Sequence, residues 1–98
     1  MGAGISRARK LQISLREYHR VIGRVRAILP PGIIINADMR SRWMEVWTPD
    51  LKIAVTLQFR WLVASNAETA GLWYINGKHE WGNLERGILH NYRKVTGT

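Results

Sequence analysis

The sequence predicts an α+β protein: an N-terminal amphipathic helix, an antiparallel sheet of four to five strands and a C-terminal helix. Three observations predict it. Apolar residues recur at helical spacing up to Leu29, where Pro30-Pro31-Gly32 stops the pattern. The period then shortens to 2 through residues 33–82. A 4-4-3 spacing returns in Leu84, Ile88, Tyr92 and Val95. Ninety-eight residues with no internal repeat and no linker make one domain.

Residues 1–7 read as a flexible tail and 8–29 as the first helix. Leu11, Leu15, Tyr18, Ile22, Val25 and Leu29 form a narrow stripe, the face expected to pack on the core. Arg9, Arg16, Arg20 and Arg24 fall opposite it, with Ile13 out of place among them. Gly23 costs about 1 kcal/mol of helix propensity without ending the pattern.

Ile33–Asn36 is a short strand. In Arg42–Trp47, Trp43, Glu45 and Trp47 share one face, Met44 and Val46 the other. Thr48-Pro49-Asp50 signals a turn, so this strand and the next form a hairpin. Ile53, Val55, Leu57, Phe59, Trp61 and Val63 then alternate with polar or small residues, a long strand with one buried face. Ser65–Gly71 is a polar loop. Asn76-Gly77 joins Leu72–Ile75 to Lys78–Trp81 in a second hairpin. Residues 83–96 are read as a helix capped by Asn83, although Gly87 leaves a final strand as the alternative.

Charge restricts function more than composition does. The 15 Lys and Arg, eleven of them Arg, stand against 7 acids, a net +8. Residues 1–26 hold seven cations and one acid, three-quarters of that net charge. Such a field calls for a polyanionic partner, an anionic membrane or a nucleic acid. The candidate contacts are Arg7, Arg9, Lys10, Arg16, Arg20 and Arg24. No apolar run approaches the ~20 residues of a membrane span, and no secretory signal is visible.

Met1-Gly2-Ala3-Gly4-Ile5-Ser6 fits the N-myristoylation pattern, with Gly2 as acceptor. One myristoyl chain gives a binding constant of about 10⁴ M⁻¹, which is marginal. Each basic residue near an anionic leaflet adds up to about 1 kcal/mol. Both signals of a two-signal anchor therefore lie within 26 residues.

A small basic chain that opens Met1-Gly2 with Ser6, then Arg7, Arg9 and Lys10, resembles a viral matrix protein. Retroviral matrix domains share that opening but are all-helical, against the strand pattern of residues 33–82. The small matrix proteins of nonsegmented negative-strand RNA viruses, of the bornavirus and nyamivirus kind, are a better match. The resemblance covers residues 1–26. It implies Gly2 as lipid acceptor, nearby cations as lipid contacts, self-association, binding of lipid and RNA, and a place beneath the virion envelope and at the cytoplasmic face of the host membrane.

Five tryptophans in 98 residues are several times the usual frequency. Trp61 belongs to the buried face of the long strand. Trp43, Trp47, Trp73 and Trp81 are candidates for subunit contacts or base stacking, with a larger core as the plain alternative. No metal-ligand spacing, Walker sequence, G-x-S-x-G or G-x-G-x-x-G occurs, so no metal, cofactor or catalytic residue is assigned. The chain is not read as an enzyme. Two other readings stay open. One is a small RNA-binding module; the α-β-β-β…α order is similar to that of double-stranded-RNA-binding domains, though Asn83-Leu84-Glu85-Arg86 lacks their lysine cluster. The other is a basic host-interaction protein.

Overall fold

The computed structural model describes residues 6–38, 40–63, 69–79 and 83–97. It is an α+β fold, with a helix at each end and an antiparallel sheet between them. Helix α1 spans Arg7–Ile28 and α2 spans Leu84–Thr96. The strands are β1 (Ile34–Asp38), β2 (Trp43–Trp47), β3 (Ile53–Val63), β4 (Thr69–Ile75) and β5 (Lys78–His79). They lie in sequence order, each antiparallel to the next. Residues 80–82, the first two of them expected to continue the last strand, lie outside the described residues, as do 65–68 of the loop expected over 65–71. The remaining residues of that loop, 69–71, are instead strand, paired with Val63, Leu62 and Trp61 of β3.

Residues 1–5 of the expected tail lie outside the described residues, and α1 begins at Arg7, one residue before the expected start. Ser6 is its N-cap, its Oγ accepting the Arg9 N–H at 3.2 Å. The other end follows from Pro30, whose ring forces the preceding residue out of the helical region. Leu29 is accordingly extended, at φ −99° and ψ 157°.

The face of α1 turned to the sheet departs from the expected stripe. Ser14, Tyr18, Val21 and Val25 are buried, Leu15 and Ile22 flank them half-buried, and Leu11 is 53% exposed. The buried arc is rotated towards Ser14 and Val21. Ser14 is admissible there because its hydroxyl accepts the Trp61 indole N–H at 3.1 Å.

The β2–β3 register shifts between Val46 and Trp47, so Ala54 is an extra residue on β3. Val46 faces Val55 and Trp47 faces Ile53. Ile53 is therefore displaced from the core face expected for it and is exposed, while Ala54 and Val55 are both buried. From Val55 onward the expected alternation holds through Leu57, Phe59 and the half-buried Trp61.

Both helices cover the same face of the sheet. Tyr18 of α1 packs edge-on against Trp73 of β4, with ring centroids 5.1 Å apart. Ile88 and Tyr92 of α2 join the same core. Val95, expected on that stripe, is exposed at the end of α2. Asn83 caps α2 as expected, its Oδ1 accepting the N–H groups of Glu85 at 2.9 Å and Arg86 at 3.3 Å.

The Asn76-Gly77 turn has φ of 50° and 82°, the positive values a two-residue hairpin of this twist requires. Asn76 also ties sheet to helix. Its Oδ1 accepts the Thr56 N–H at 2.9 Å, and its Nδ2 donates to Asn91 Oδ1 of α2 at 2.9 Å.

Candidate polyanion-binding layer

The division of charge follows the division of secondary structure. The two helices together carry ten cations and two acids, which is the entire net +8. The remainder of the chain carries five cations (Arg40, Arg42, Lys52, Arg60, Lys78) and five acids (Asp38, Glu45, Asp50, Glu68, Glu80). Because both helices lie on one face of the sheet, one side of the molecule is basic.

Sequence reasoning found the α1 part of this layer and missed the α2 part. Arg86 and Arg93 stand about 180° around α2 from its apolar stripe at 100° per residue. With Lys94 they are exposed. The signal was the stripe itself, since whatever lies opposite a buried stripe is displayed beside the neighbouring helix.

Of the six predicted contacts, Arg7, Arg9, Arg16, Arg20 and Arg24 are exposed and Lys10 is half-buried. Their availability differs. Arg20 is held by Glu17 through two bonds of 2.9 Å. Arg24 is held by Glu85 of α2, Nε to Oε1 at 2.8 Å and Nη2 to Oε2 at 2.9 Å. Lys10 reaches over the Trp61 ring, 5.8 Å from its centroid. Arg7, Arg9 and Arg16 make no ion pair among the described residues, and the same is true of Arg26, Arg86, Arg93 and Lys94.

Glu17 joins this layer to the core. Beyond its pair with Arg20, its Oε1 accepts the Trp73 indole N–H at 3.1 Å. The Arg20 guanidinium holds the Glu17 carboxyl below its ordinary range, against a smaller opposing effect of burial, and the Trp73 bond adds to the lowering.

The tryptophans separate into two groups. Trp73 is 8% exposed and packs with Tyr18 and Phe59, so its expected role in stacking or subunit contact is corrected to a core role. The register decides this: Trp73 stands opposite Phe59, and cross-strand partners share a face, here the one covered by the helices. Trp43 and Trp47 are half-buried on the opposite, open face. They flank Glu45, whose carboxyl is held low by hydrogen bonds from Trp43, Trp47 and Asn36. Tyr74 shares that face, with the Arg60 guanidinium 4.7 Å from its ring centroid. Trp81 and Gly2 lie outside the described residues.

Trp43, Trp47 and Tyr74 thus lie on the side of the sheet opposite the helical cations, with Arg60 beside Tyr74 there, while half-buried Trp61 stays on the helix side beneath Lys10. The helices' own aromatic residues, Tyr18 and Tyr92, are buried. A cleft of about 670 Å³ between the end of α1 and α2 is lined by Ile28, Leu29, Pro30, Leu89, Tyr92 and Arg93, with no carboxylate or histidine in its wall. Among the described residues no group of three or more acids and histidines could hold a metal ion, and no helix is long and apolar enough to cross a membrane. Comparison of the chain with protein-family models, with curated proteins and with solved structures returned no significant match.

Proposed function

We propose that this is a peripheral membrane-binding structural protein of the viral matrix type, which lays its helical layer on an anionic bilayer. The observation that carries the reading is the concentration of the whole net charge on the two helices, over an electrically balanced sheet. A bilayer is a flat polyanion and is met by one face of a protein. Exposed Leu11 and Val95 stand on the same helices as the cations, which suits an interface where headgroups give way to acyl chains. Single-stranded RNA makes the opposite demand, with stacking aromatics beside the phosphate contacts. Here Trp43, Trp47 and Tyr74 are on the far side of the sheet from the helical cations, and Trp61, on the near side, is half-buried with its indole N–H given to Ser14.

About four cations on one plane contribute about 4 kcal/mol, too little for stable attachment. An acyl chain on Gly2 adds about 5.5 kcal/mol from its binding constant near 10⁴ M⁻¹. Four residue steps separate Gly2 from the Ser6 cap, a reach of ~14 Å at most, which keeps the lipid beside Arg7 and Arg9. On this reading the protein works at the cytoplasmic face of the host membrane and beneath the envelope of the virion.

Vesicle co-sedimentation of the full-length protein tests it. Phosphatidylserine vesicles should retain the protein, phosphatidylcholine vesicles should not, and retention should fall steeply between 50 and 500 mM salt, chosen to span strong and weak screening at roughly 14 and 4 Å Debye lengths. Charge reversal at Arg9, Arg16 and Arg93 should weaken binding more than tenfold, and Gly2→Ala should abolish stable attachment in eukaryotic cells. Equal retention by both vesicles, or preference for duplex RNA over phosphatidylserine, would overturn the proposal.

A further inference from the structure

The two edges of the sheet are unlike. β5 lies at one edge, with two residues among those described. β1 presents five, with no lysine, arginine or proline among Ile34–Asp38 and an unbroken register against β2. Sheet proteins ordinarily guard an edge of that length with charge, proline or a bulge. Here Asp38, at the last position, is the one charge on it.

The ladder shows which backbone groups that edge offers. The Phe59 N–H donates to the Arg42 carbonyl at 3.3 Å, and the Asn76 N–H donates to the Thr56 carbonyl at 2.9 Å. Hydrogen-bonded and non-bonded pairs alternate along an antiparallel ladder. Arg42, Met44 and Val46 therefore bond to β3, and Trp43, Glu45 and Trp47 bond to β1. Their partners are Asp38, Asn36 and Ile34. Ile35 and Ala37 are left with N–H and C=O groups turned outward. The side chains of those two residues lie on the core face, where both are half-buried and pack against the core. The core is incompletely closed along this edge.

We infer that β1 is the docking edge for a second copy of this chain, paired antiparallel about a two-fold axis at Ile35. In that register Ile35 faces its own counterpart and Ala37 faces Ile33, so the outward-bonding residues are apolar and complementary to their own reverse. The sheet half of the molecule has no net charge to oppose the approach. Antiparallel neighbours are related by an axis normal to the sheet, which keeps each layer on its own side. The pair is one continuous sheet of ten strands with all four helices on one face, doubling the +8 presented to a single surface. That use of the dimer rests on the membrane reading; the edge itself does not. Face-to-face pairing through Trp43 and Trp47 would instead turn the two basic layers away from each other.

Sedimentation of the full-length protein without vesicles, with three variants, tests the inference. Ala37→Pro removes an N–H that is turned away from β2, and proline is accepted on an edge strand in that orientation. It should weaken the dimer on the order of thirtyfold, through the two symmetric bonds it deletes. Trp47→Ser should leave dimerisation within about twofold. The chain has no cysteine, so Asn36→Cys gives a single thiol whose Cα lies ~7–8 Å diagonally from its counterpart. A short bismaleimide should then cross-link the dimer, whereas Lys78→Cys at the far edge should give none. If Ala37→Pro fails to fold, the cysteine pair decides. A protein that stays monomeric up to about 0.5 mM, far above any interface of useful strength, overturns the inference. So does a dimer lost in Trp47→Ser but kept in Ala37→Pro, or one that cross-links at Lys78→Cys alone. Loss of vesicle binding with the dimer intact would count against the membrane reading only.

Discussion

Arg24 and Glu85 form a bidentate ion pair across 61 residues of sequence, at 2.8 and 2.9 Å, and this pair joins the two helices of the basic layer. It orients α2 and at the same time withdraws one arginine from the exposed positive field. Both side chains remain open to solvent, so the pair is screened and weak as a stabiliser.

Glu85→Gln should therefore change thermal stability little. It should raise affinity for phosphatidylserine vesicles by up to about fivefold, the worth of one liberated cation at an anionic surface. A large fall in melting temperature, or weaker vesicle binding, would show that the pair matters for packing instead. The Arg24 hydrogen bonds hold the Glu85 carboxyl below its ordinary range. The pair is therefore retained through neutral pH and released as pH falls through the acid range.

Glu17 serves two donors, and its variants separate them. Glu17→Gln keeps an acceptor for the Trp73 indole, whereas Glu17→Ala strands that buried N–H. The alanine variant should be less stable than the glutamine variant by about 1–3 kcal/mol, measured by denaturant unfolding. The folded-state carboxyl is held below its unfolded value, chiefly by Arg20. Its contribution is present above the ordinary carboxylate value of 4.5 and is lost as pH falls below it. In Glu17→Gln the acid limb of the stability profile should be flatter.

Tyr18 is fully buried, and its hydroxyl finds no well-formed hydrogen-bond partner among the described residues. Burial pushes its ionisation up to about 12. A folded-state value raised above the unfolded 10 contributes stability that is complete below pH 10 and lost as pH rises towards 12. Tyr18→Phe should flatten that alkaline limb. At pH 7 it should be neutral or up to ~1 kcal/mol stabilising, because it removes an unpaired polar group. A marked loss at pH 7 would reveal a partner for the hydroxyl.

Gly71 lies beneath the Phe59 ring. A Cβ there would collide with Phe59 Cζ. Phe59 is wedged between Trp61 and Trp73 and has no cheap retreat. Gly71→Ala should cost about 1–3 kcal/mol by overpacking, read from the unfolding midpoint. No such loss should follow Gly23→Ala, where a Cβ meets nothing within 4 Å.

Local patterns made much of the fold legible. Ser6 and Asn83 as cap-type residues, Pro30 as a stop, Asn76-Gly77 as a turn and the alternation after Val55 all act over a few residues. Ile53 was misjudged because the residue that turns it outward, Ala54, is extra only relative to β2. Leu11 and Val95 fit helical stripes as well as Tyr18 and Ile88 do. They are exposed because burial depends on what lies beneath each turn, and the ends of both helices lack that cover. Trp73 looked free because a strand pattern identifies two faces without saying which one meets the helices.

The sequence by itself determined the element order, the two hairpins, the basic character of α1 and the net charge, since each depends on neighbours in the chain or on simple counting. Only the tertiary structure decided that Arg24 would be held by Glu85, that Trp73 would donate to Glu17, and that α2 would add its cations to those of α1. It also decided that Trp43, Trp47 and Tyr74 would lie on the side of the sheet away from the helical cations. These are relations between residues up to 61 positions apart, and they are set by how two helices pack on one face of a sheet.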